Sequence, residues 1–431
     1  MRVDDRPLPT FVPVEPEHLP WATQIHLLIE AQTLAERWDD PGIFWDDPRL
    51  IWDQAELTGD LTDVACDLAG IDVEHGPADG NELYPSGSIA ATLVDPDGRY
   101  QRFNPDGTLL SWQIGKRIAV VARSPEDEWS WIFFGRVTSW SALSRDGTVE
   151  IEAFNLPHEL DSIGKFTPGA NGQNVAQRIA AILGASHALG TLTDLDAGDV
   201  TLTAQETERS PWEEIQTVAT FSDGGIVFAD ADDTLRYFDR RWREGRDDQT
   251  KIWELSDNAC DAEIIAWDTR LLTSDERLST AVRLTNVAGL VADEELSTNP
   301  YQVAHVLVYP EPGQWTTQSQ GDSLAHWLLD RSSTLIVDVD ELTLYVHDVA
   351  QNLFPFARDV RLGDQIVFRH EYPIADGTTG ELVVSAIVNM IRHSINANEW
   401  LLGLGASTFP YFPPAHWDVS RWDVDYWKDA S

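Results

Sequence analysis

The stretch that decides the fold is SIAATLVDPDGRY, residues 88–100. In its first seven residues Ile89, Ala91 and Leu93 alternate with the residues between them, and the turn sequence DPDG follows at once. Apolar residues with a period of two predict a strand that buries one face, and DPDG favours a tight turn. The stretch therefore predicts a strand that ends in a turn.

The same pattern continues after this turn. Three further strand candidates follow: KRIAVVAR (116–123), WIFFGRVTSW (131–140) and TVEIEAF (148–154). A second turn signal, Asp146-Gly147, separates the last two. Short strands with turn signals about every ten residues predict a small antiparallel barrel or sandwich.

The middle of the chain has a helical pattern. In QNVAQRIAAILG an apolar stripe from Val175 to Leu183 predicts a helix with Gly184 as its C-cap. In SPWEEIQTVATFSDGG, Ser210 suits an N-cap and Glu213 completes a capping box, and the two glycines at the end stop the helix. IVFAD, an acidic turn and TLRYFDR then predict a hairpin, so this region is a small α+β unit.

The chain returns to β after this unit. Four segments predict strands, namely TLYVHDV, DVRLGDQIVFRH, ELVVSAIVNMIRHSI and EWLLGLGAS, and GDSLAHWLLDRSS predicts one helix.

Near the N-terminus, a proline-rich arm precedes WATQIHLLIEAQTLAERW, residues 21–38. Because Ile25, Leu28, Ile29 and Leu34 can share one helical face, we expect a helix there.

Tryptophan repeats mark both ends of the chain. They supply six candidate interface residues: Trp38, Trp45 and Trp52 at a spacing of seven, and Trp417, Trp422 and Trp427 at a spacing of five. Neither spacing gives a one-sided strand, so we expect extended straps whose tryptophans enter pockets one by one. Terminal segments need partners to be ordered, which favours anchoring between subunits. No period near 40 residues supports a propeller of WD repeats.

The charge excludes some partners. The formal net charge is −42, from 72 acidic and 30 basic residues, and only four of the basic residues are lysine. Such a surface repels nucleic acid and anionic lipid, and the composition indicates a halophilic or high-GC source. No run approaches the ~20 apolar residues of a membrane span, so we expect no membrane insertion. The first 21 residues lack the apolar core of a signal peptide, so we expect no signal peptide.

No pattern predicts catalysis. The sequence has no Walker loop, HExxH, GxSxG or dinucleotide fingerprint, and no Cys/His spacing for zinc. The acidic stretches at 194–196 and 230–233 resemble fragments of calcium loops but lack the bidentate glutamate, so solvated turns are favoured. We therefore predict no catalytic residue, no cofactor, no metal ligand and no enzyme activity.

The order of these segments resembles that of the tail-hub and minor tail proteins of long-tailed bacteriophages and related archaeal tailed viruses. In that family a strand ending in an acidic Gly-Arg-aromatic turn precedes three patterned strands. The matching residues here are Asp97, Gly98, Arg99 and Tyr100; Gly115, Ile118 and Val120; Phe134, Gly135 and Val137; and Val149, Ile151 and Ala153. The segments at 210–241 and after 358 are similar to later family elements, so the resemblance covers roughly residues 60–410.

The resemblance implies a mainly β fold with an α+β insertion: two tube-like antiparallel β-domains, baseplate-hub-like, with extended terminal arms. The expected domains are an N-terminal extended or helical arm (1–57), a first tube-like β-domain (58–166), an α+β domain (167–246), a second tube-like β-domain (247–408) and a C-terminal Trp-Asp strap (409–431). It implies a homotrimer at the tail tip of the virion, joining the sixfold tail tube to the threefold tip. The implied partners are the distal tail protein ring, the tape-measure protein and tail fibre or tip proteins. Genome DNA would pass through a carboxylate-lined lumen without specific binding.

Two alternatives stay open. The first is a receptor-binding, glycan-binding tail module that uses the tryptophan straps as sugar platforms. The second is a cell-wall hydrolase, although no catalytic constellation supports it. Many family members carry a C-terminal hydrolase or receptor-binding part. This chain stops soon after the last predicted strand, so we expect other proteins to supply those activities.

Overall fold

The computed structural model describes most of the chain between residues 25 and 408. The described residues are 25–30, 61–76, 84–96, 100, 114–123, 129–143, 147–163, 171–186, 191–204, 209–240, 251–256, 264–265, 268–273, 278–297, 306–309, 311–333, 337–346, 353–373, 379–396 and 399–408. They form a 14-stranded sheet, two three-stranded sheets and five α-helices. The mainly β fold class that the sequence predicts is confirmed.

Seven strands make up the first β unit. They are β1 Ile25–Glu30, β2 Leu61–Asp63, β3 Leu68–His75, β4 Ser88–Val94, β5 Arg117–Arg123, β6 Trp129–Leu143 and β7 Thr148–Phe154. They pair antiparallel in the order β3-β4-β7-β6-β5-β1-β2. β4 buries Ile89, Ala91 and Leu93, as their alternation predicts.

Strand β1 corrects one prediction. The helix expected over residues 21–38 is wrong, because residues 25–30 are a strand between β2 and β5. Both faces of β1 are buried: Leu27 and Ile29 pack into the main core, and Leu28 packs into a second cluster on the opposite side. Pairing on two edges and burial on two faces outweigh a helical spacing that a short apolar run also satisfies.

The α+β unit follows the first β unit. Its elements are α1 Leu156–Ser162, α2 Val175–Ala185, β8 Thr193–Leu195, α3 Pro211–Gln216, which continues as a π-helical turn Thr217–Phe221, β9 Ile226–Ala229 and β10 Leu235–Phe238. The predicted capping box of α3 is confirmed: Ser210 Oγ accepts from the Glu213 N–H, and the Glu213 carboxylate accepts from the Ser210 N–H. The predicted hairpin is also confirmed, because β9 and β10 pair antiparallel.

Helix α2 ends later than its sequence predicts. Asn174 and Gln177 form a capping box at its start. Gly184 lies inside the helix without a positive φ, and the cap is Ser186, whose N–H donates to the Ile182 carbonyl at 2.9 Å. The prediction of Gly184 as the C-cap is therefore wrong. Ser186 ends the helix with a negative φ of −86°, so a residue in the left-handed conformation, such as glycine, is not required.

Ten strands and two helices follow among the described residues. They are β11 Ile252–Ser256, β12 Ile264–Ile265, β13 Asp268–Thr273, β14 Ala281–Thr285, β15 Val291–Glu295, β16 Val306–Val308, α4 Gln318–Ser332, β17 Val337–Tyr345, α5 Phe354–Asp359, β18 Gln365–Pro373, β19 Thr379–Asn396 and β20 Trp400–Thr408. The second β unit consists of β11–β13 and β17–β20, and all seven strands belong to the large sheet. The strands predicted near its end are confirmed, as is the helix α4.

Strands β14–β16 and helix α4 join the α+β unit. The three strands form their own sheet, in the order β15-β14-β16. Val282 of β14 and Leu324 of α4 share a core with Ile179 of α2, and the fully buried Trp315 lies in the same core. Residues that the sequence assigns to the second β-domain thus complete the α+β core. The domain boundaries themselves stay a prediction.

The two β units are joined by strand β19. Over its first half β19 pairs with β18, and over residues 391–396 it pairs with β3, from Ile391 opposite His75 to Asn396 opposite Gly70. On its other edge β19 pairs with β20. One hydrophobic core runs through both units. The seam, as we call this β3–β19 pairing, makes the two units one continuous sheet.

Candidate functional site: an acidic face of the large sheet

The outward face of the first β unit carries a group of carboxylates. Asp72 of β3 lies opposite Ala90 of β4, and Ala90 lies opposite Glu152 of β7. In the next row on this face, Thr92 of β4 lies opposite Glu150 of β7. Cross-strand partners share a face, and every second residue returns to it. Asp72, Glu150 and Glu152 are all exposed, so the three carboxylates point to the same side of the sheet.

A fourth carboxylate lies at the seam. Glu74 is two residues after Asp72 on the same face, and it stands opposite Arg392 of β19. Its neighbour on β4 is Ser88. Within the described ranges, none of the four carboxylates makes a salt bridge. We call these four residues, Asp72, Glu74, Glu150 and Glu152, the acidic face.

The acidic face is arranged so that like charges do not stand directly opposite each other. Between β3 and β7, each row places a small neutral residue of β4: Ser88, Ala90 or Thr92. With strands about 4.8 Å apart, carboxylates on β3 and β7 are roughly 10 Å apart. At that distance two like charges in water repel by about 0.4 kcal/mol, and physiological salt reduces this further. The sheet therefore keeps a dense negative charge at little expense in stability.

The same face differs in the second β unit. There Arg369 of β18 lies between two carboxylates, with Glu381 at 3.2 Å and Glu254 at 3.7 Å. Arg369 thus offsets part of the negative charge of these two carboxylates, whereas the four carboxylates of the acidic face have no such ion pair within the described residues.

The acidic turn at 230–233 is not a surface feature. Asp230, Asp232 and Asp233 are buried, so the expected solvated turn is wrong. Asp232 accepts from the Thr234 N–H at 3.0 Å, and Asp233 accepts from the Leu156 N–H at 2.8 Å. These carboxylates accept hydrogen bonds from protein donors, which is why the turn can be buried.

Asp230 belongs to a charged chain under the sheet. Its carboxylate accepts from Arg236 Nε at 2.7 Å, and Arg236 Nη1 donates to Asp194 at 2.6 Å. Burial acts against the charge of Arg236, but Asp230 and its acidic neighbours outweigh burial and raise the pKa of the guanidinium. Both stretches that resemble calcium-loop fragments therefore bind an arginine. In the part of the chain that the structure describes, no three His, Cys, Asp or Glu residues are placed to hold a metal ion.

The six predicted interface residues, Trp38, Trp45, Trp52, Trp417, Trp422 and Trp427, lie outside the described residues, and their role stays a prediction. No residue of the acidic face is among the site residues predicted from the sequence. A signal was present: IDVEH and TVEIEAF each place two acids at alternate positions, on the polar side of a strand. No helix in the described ranges has the length and apolar character needed to cross a bilayer.

The large sheet, the inserted α+β unit and the seam together have the fold of phage and prophage tail proteins, so the resemblance seen in the sequence is confirmed at the level of the fold. The structure is similar to the 43 kDa tail protein of prophage MuSo2 from Shewanella oneidensis, with 13% identity, a TM-score of 0.51, and coverage of 89% of this chain and 96% of that chain. It is also similar to a tail protein from Neisseria meningitidis MC58, with 11% identity, a TM-score of 0.54 and the same coverage. No protein-family model and no curated protein matches the sequence.

Proposed function

We propose that this chain is a structural virion protein, the tail-tip hub that joins the sixfold tail tube to the threefold tip. The proposal rests on the seam. A subunit whose two seven-stranded β units belong to one continuous sheet presents two β units, so three copies around an axis present six. A homotrimer of this kind matches a sixfold ring on one side and a threefold tip on the other.

The ends of the large sheet suit contacts between copies. Among the described strands of the large sheet, β2, β12 and β13 each have a single neighbour. Open sheet edges accept strands from other chains. Near the β12 end, Ile252 of β11, Tyr372 of β18 and Val383 of β19 expose apolar surface. In the proposed hub we place Ile252 against the next copy, where burial would remove its apolar surface from water.

The acidic face lines the DNA exit channel in this proposal. Unpaired carboxylates repel phosphates, so DNA passes without binding. The proposed partners are the distal tail protein ring, the tape-measure protein and tail fibre or tip proteins, with the six terminal tryptophans anchoring neighbours. The place of action is the tail tip, after assembly in the host cytoplasm.

The native mass in solution tests the proposal. We expect light scattering to find a trimer, three times 48.2 kDa, that becomes more abundant from dilute to molar NaCl as salt screens the charge of −42. Ile252→Asp should prevent trimer formation. Val291→Asp is the matched control, because Val291 is 45% exposed against 46% for Ile252 but lies on β15, outside the large sheet.

Two results would contradict the hub. A monomer at every salt concentration would remove the homotrimer and favour the glycan-binding module. A trimer that Val291→Asp breaks and Ile252→Asp leaves intact would place the interface away from the end of the large sheet.

A further inference from the structure

A buried polar cluster lies under the seam, where both β units meet the α+β unit. His75 of β3 and His393 of β19 point inward from neighbouring strands. With Arg361, from the turn between α5 and β18, and Asp230, they line a cavity of about 10 Å³. The remaining lining is apolar and comes from β6, from the 230–233 turn and from the residues around Arg361 and on β19. Three units of the fold therefore contribute to the lining of one cavity.

Hydrogen bonds at the two rings define their neutral forms. Nδ1 of His393 accepts the indole N–H of Trp400 at 3.3 Å, so the neutral ring carries its proton on Nε2. Nε2 of His75 donates to the Ile132 carbonyl at 2.9 Å, which leaves Nδ1 as an acceptor. That Nδ1 is buried without a hydrogen-bond partner in the described residues. Protonating His393 on Nδ1 turns an acceptor into a donor that faces the Trp400 donor.

The Arg361 guanidinium opposes protonation of the two rings, and the Asp230 carboxylate favours it. Among the described residues, the other charged groups that line the cavity are the Arg361 guanidinium and the Asp230 carboxylate, with Nε of Arg361 3.9 Å from Oδ1 of Asp230. Asp230 is already paired with Arg236. If both rings took up a proton, His75, His393 and Arg361 would place three cations around the Asp230 carboxylate. A fourth cation, Arg236, already shares this carboxylate.

The pKa values follow this geometry. Burial, His75 and Arg361 lower the pKa of His393 to about 3. Burial also lowers the pKa of His75, and Asp230 offsets only part of this effect. Both rings are thus neutral in the closed seam at neutral pH.

We propose that His75 and His393 form an acid-sensitive latch, in which proton uptake opens the β3–β19 seam and separates the two β units while the α+β unit stays folded. In the open state both rings reach water, where a histidine titrates near 6.5. The closed seam is stable above that pH, and opening becomes easier as the pH falls below it. The latch does not depend on the proposed role in a tail.

Hydrogen exchange of the full chain in molar NaCl tests the latch. The quantity compared is the protection factor, which corrects for the intrinsic exchange rate, for amides of β3 and β19 at pH 7.5 and 5.5. Since two rings each take up a proton on opening, protection should fall by up to about 100-fold. Amides of α2, in the α+β unit, should keep their protection.

Single and double variants separate the two rings. His393→Asn keeps an acceptor near Nδ1 for Trp400, and His75→Gln keeps a donor near Nε2 for the Ile132 carbonyl. Each single variant should lose about tenfold in protection between the two pH values, because one titrating ring remains. The double variant should lose none. His326→Gln is the control, because the His326 side chain is 74% exposed and lies on α4, so this variant should behave like the wild type.

The outcomes decide the proposal. Unchanged protection of the wild-type seam between pH 7.5 and 5.5 would overturn it. So would a double variant whose seam still loses protection like the wild type, or a wild type in which α2 loses protection together with β3 and β19. Protection of α2 at pH 7.5 shows that each variant is folded before the comparison is made.

Discussion

Asp233 shows how much one residue contributes at the junction of the units. It has a φ of 64°, and among the described non-glycine residues it alone has a positive φ. Its carboxylate accepts the N–H that begins α1, at Leu156. Aspartate tolerates the left-handed conformation better than most residues, and here its side chain also satisfies a helix N-terminus. One side chain thus holds the 230–233 turn and connects it to α1.

We expect Asp233→Ala to lower the free energy of unfolding by about 2–3 kcal/mol. The change leaves the buried Leu156 N–H without this acceptor. It also places alanine, which has no polar side chain to favour this conformation, in the left-handed region. Asp233→Asn keeps an acceptor and a tolerant side chain, so its loss should stay within about 1 kcal/mol. Urea unfolding of the two variants measures the difference. Equal losses would show that the hydrogen bond to Leu156 contributes nothing.

For single residues, the sequence shows which side chains are acidic but not which partners they contact. It shows four consecutive positions rich in acid at 230–233, but the partners of these acids are distant in the chain. The Leu156 N–H is 77 residues from Asp233. Arg361 lies farther still and approaches Asp230 only in the folded molecule. Composition therefore predicts a solvated turn, and the tertiary fold buries it.

Two glycines show that the environment of a helix decides the effect of the same substitution. Gly184 in α2 has no atom within 4 Å of the position that a Cβ would take. Gly321 in α4 would place that Cβ 2.7–2.9 Å from the buried indole ring of Trp315. The gain in helix propensity is common to both sites, and only the packing differs.

We therefore expect Gly184→Ala to raise the free energy of unfolding by about 0.5–1 kcal/mol. Gly321→Ala should lower it by roughly 1–3 kcal/mol, because a ring in a packed core cannot move aside without strain. Thermal unfolding of the pair gives opposite shifts in Tm. Stabilisation by both would mean that the Trp315 ring repacks freely.

Elements with local signals are the ones that the sequence predicts well. The box between Ser210 and Glu213 spans three residues, and so the start of α3 can be recognised without the rest of the fold. Strand β1 is different, since its conformation depends on β2 and β5 pairing on either side. The seam is harder still to predict, because no pattern in the sequence of β3 or β19 indicates that these two strands pair. For the site, the alternating acids are visible, but the rows that bring β3 and β7 together are not.

For the whole molecule, the acidic face makes a prediction about DNA. In the proposed hub, the triple variant Asp72→Lys, Glu150→Lys and Glu152→Lys would place nine lysines, three from each chain, in the DNA channel. Lysine at Glu295, Asp322 and Asp330 changes the net charge equally, but these exposed residues lie on β15 and α4. Clustered cations bind phosphates more tightly and with a steeper salt dependence than dispersed ones.

Fluorescence anisotropy with a short DNA duplex measures this difference under conditions that give the trimer. We expect no binding by the wild type, and at least about tenfold tighter binding by the acidic-face variant than by the β15/α4 variant. Equal affinity of the two variants would show that the face does not surround a channel. Binding by the wild type would contradict passage without attachment.

The seam also determines when the molecule can finish folding. During synthesis β3 leaves the ribosome well before its partner β19, because most of the described strands lie between them in the chain. Until then the edge of β3 stays open, in a half-built sheet that other nascent chains can pair with. Contacts between such distant segments are slow to form. The nascent chain should therefore need more help from chaperones during translation than the stability of the finished sheet suggests. Chains that end before β19 should give little folded protein.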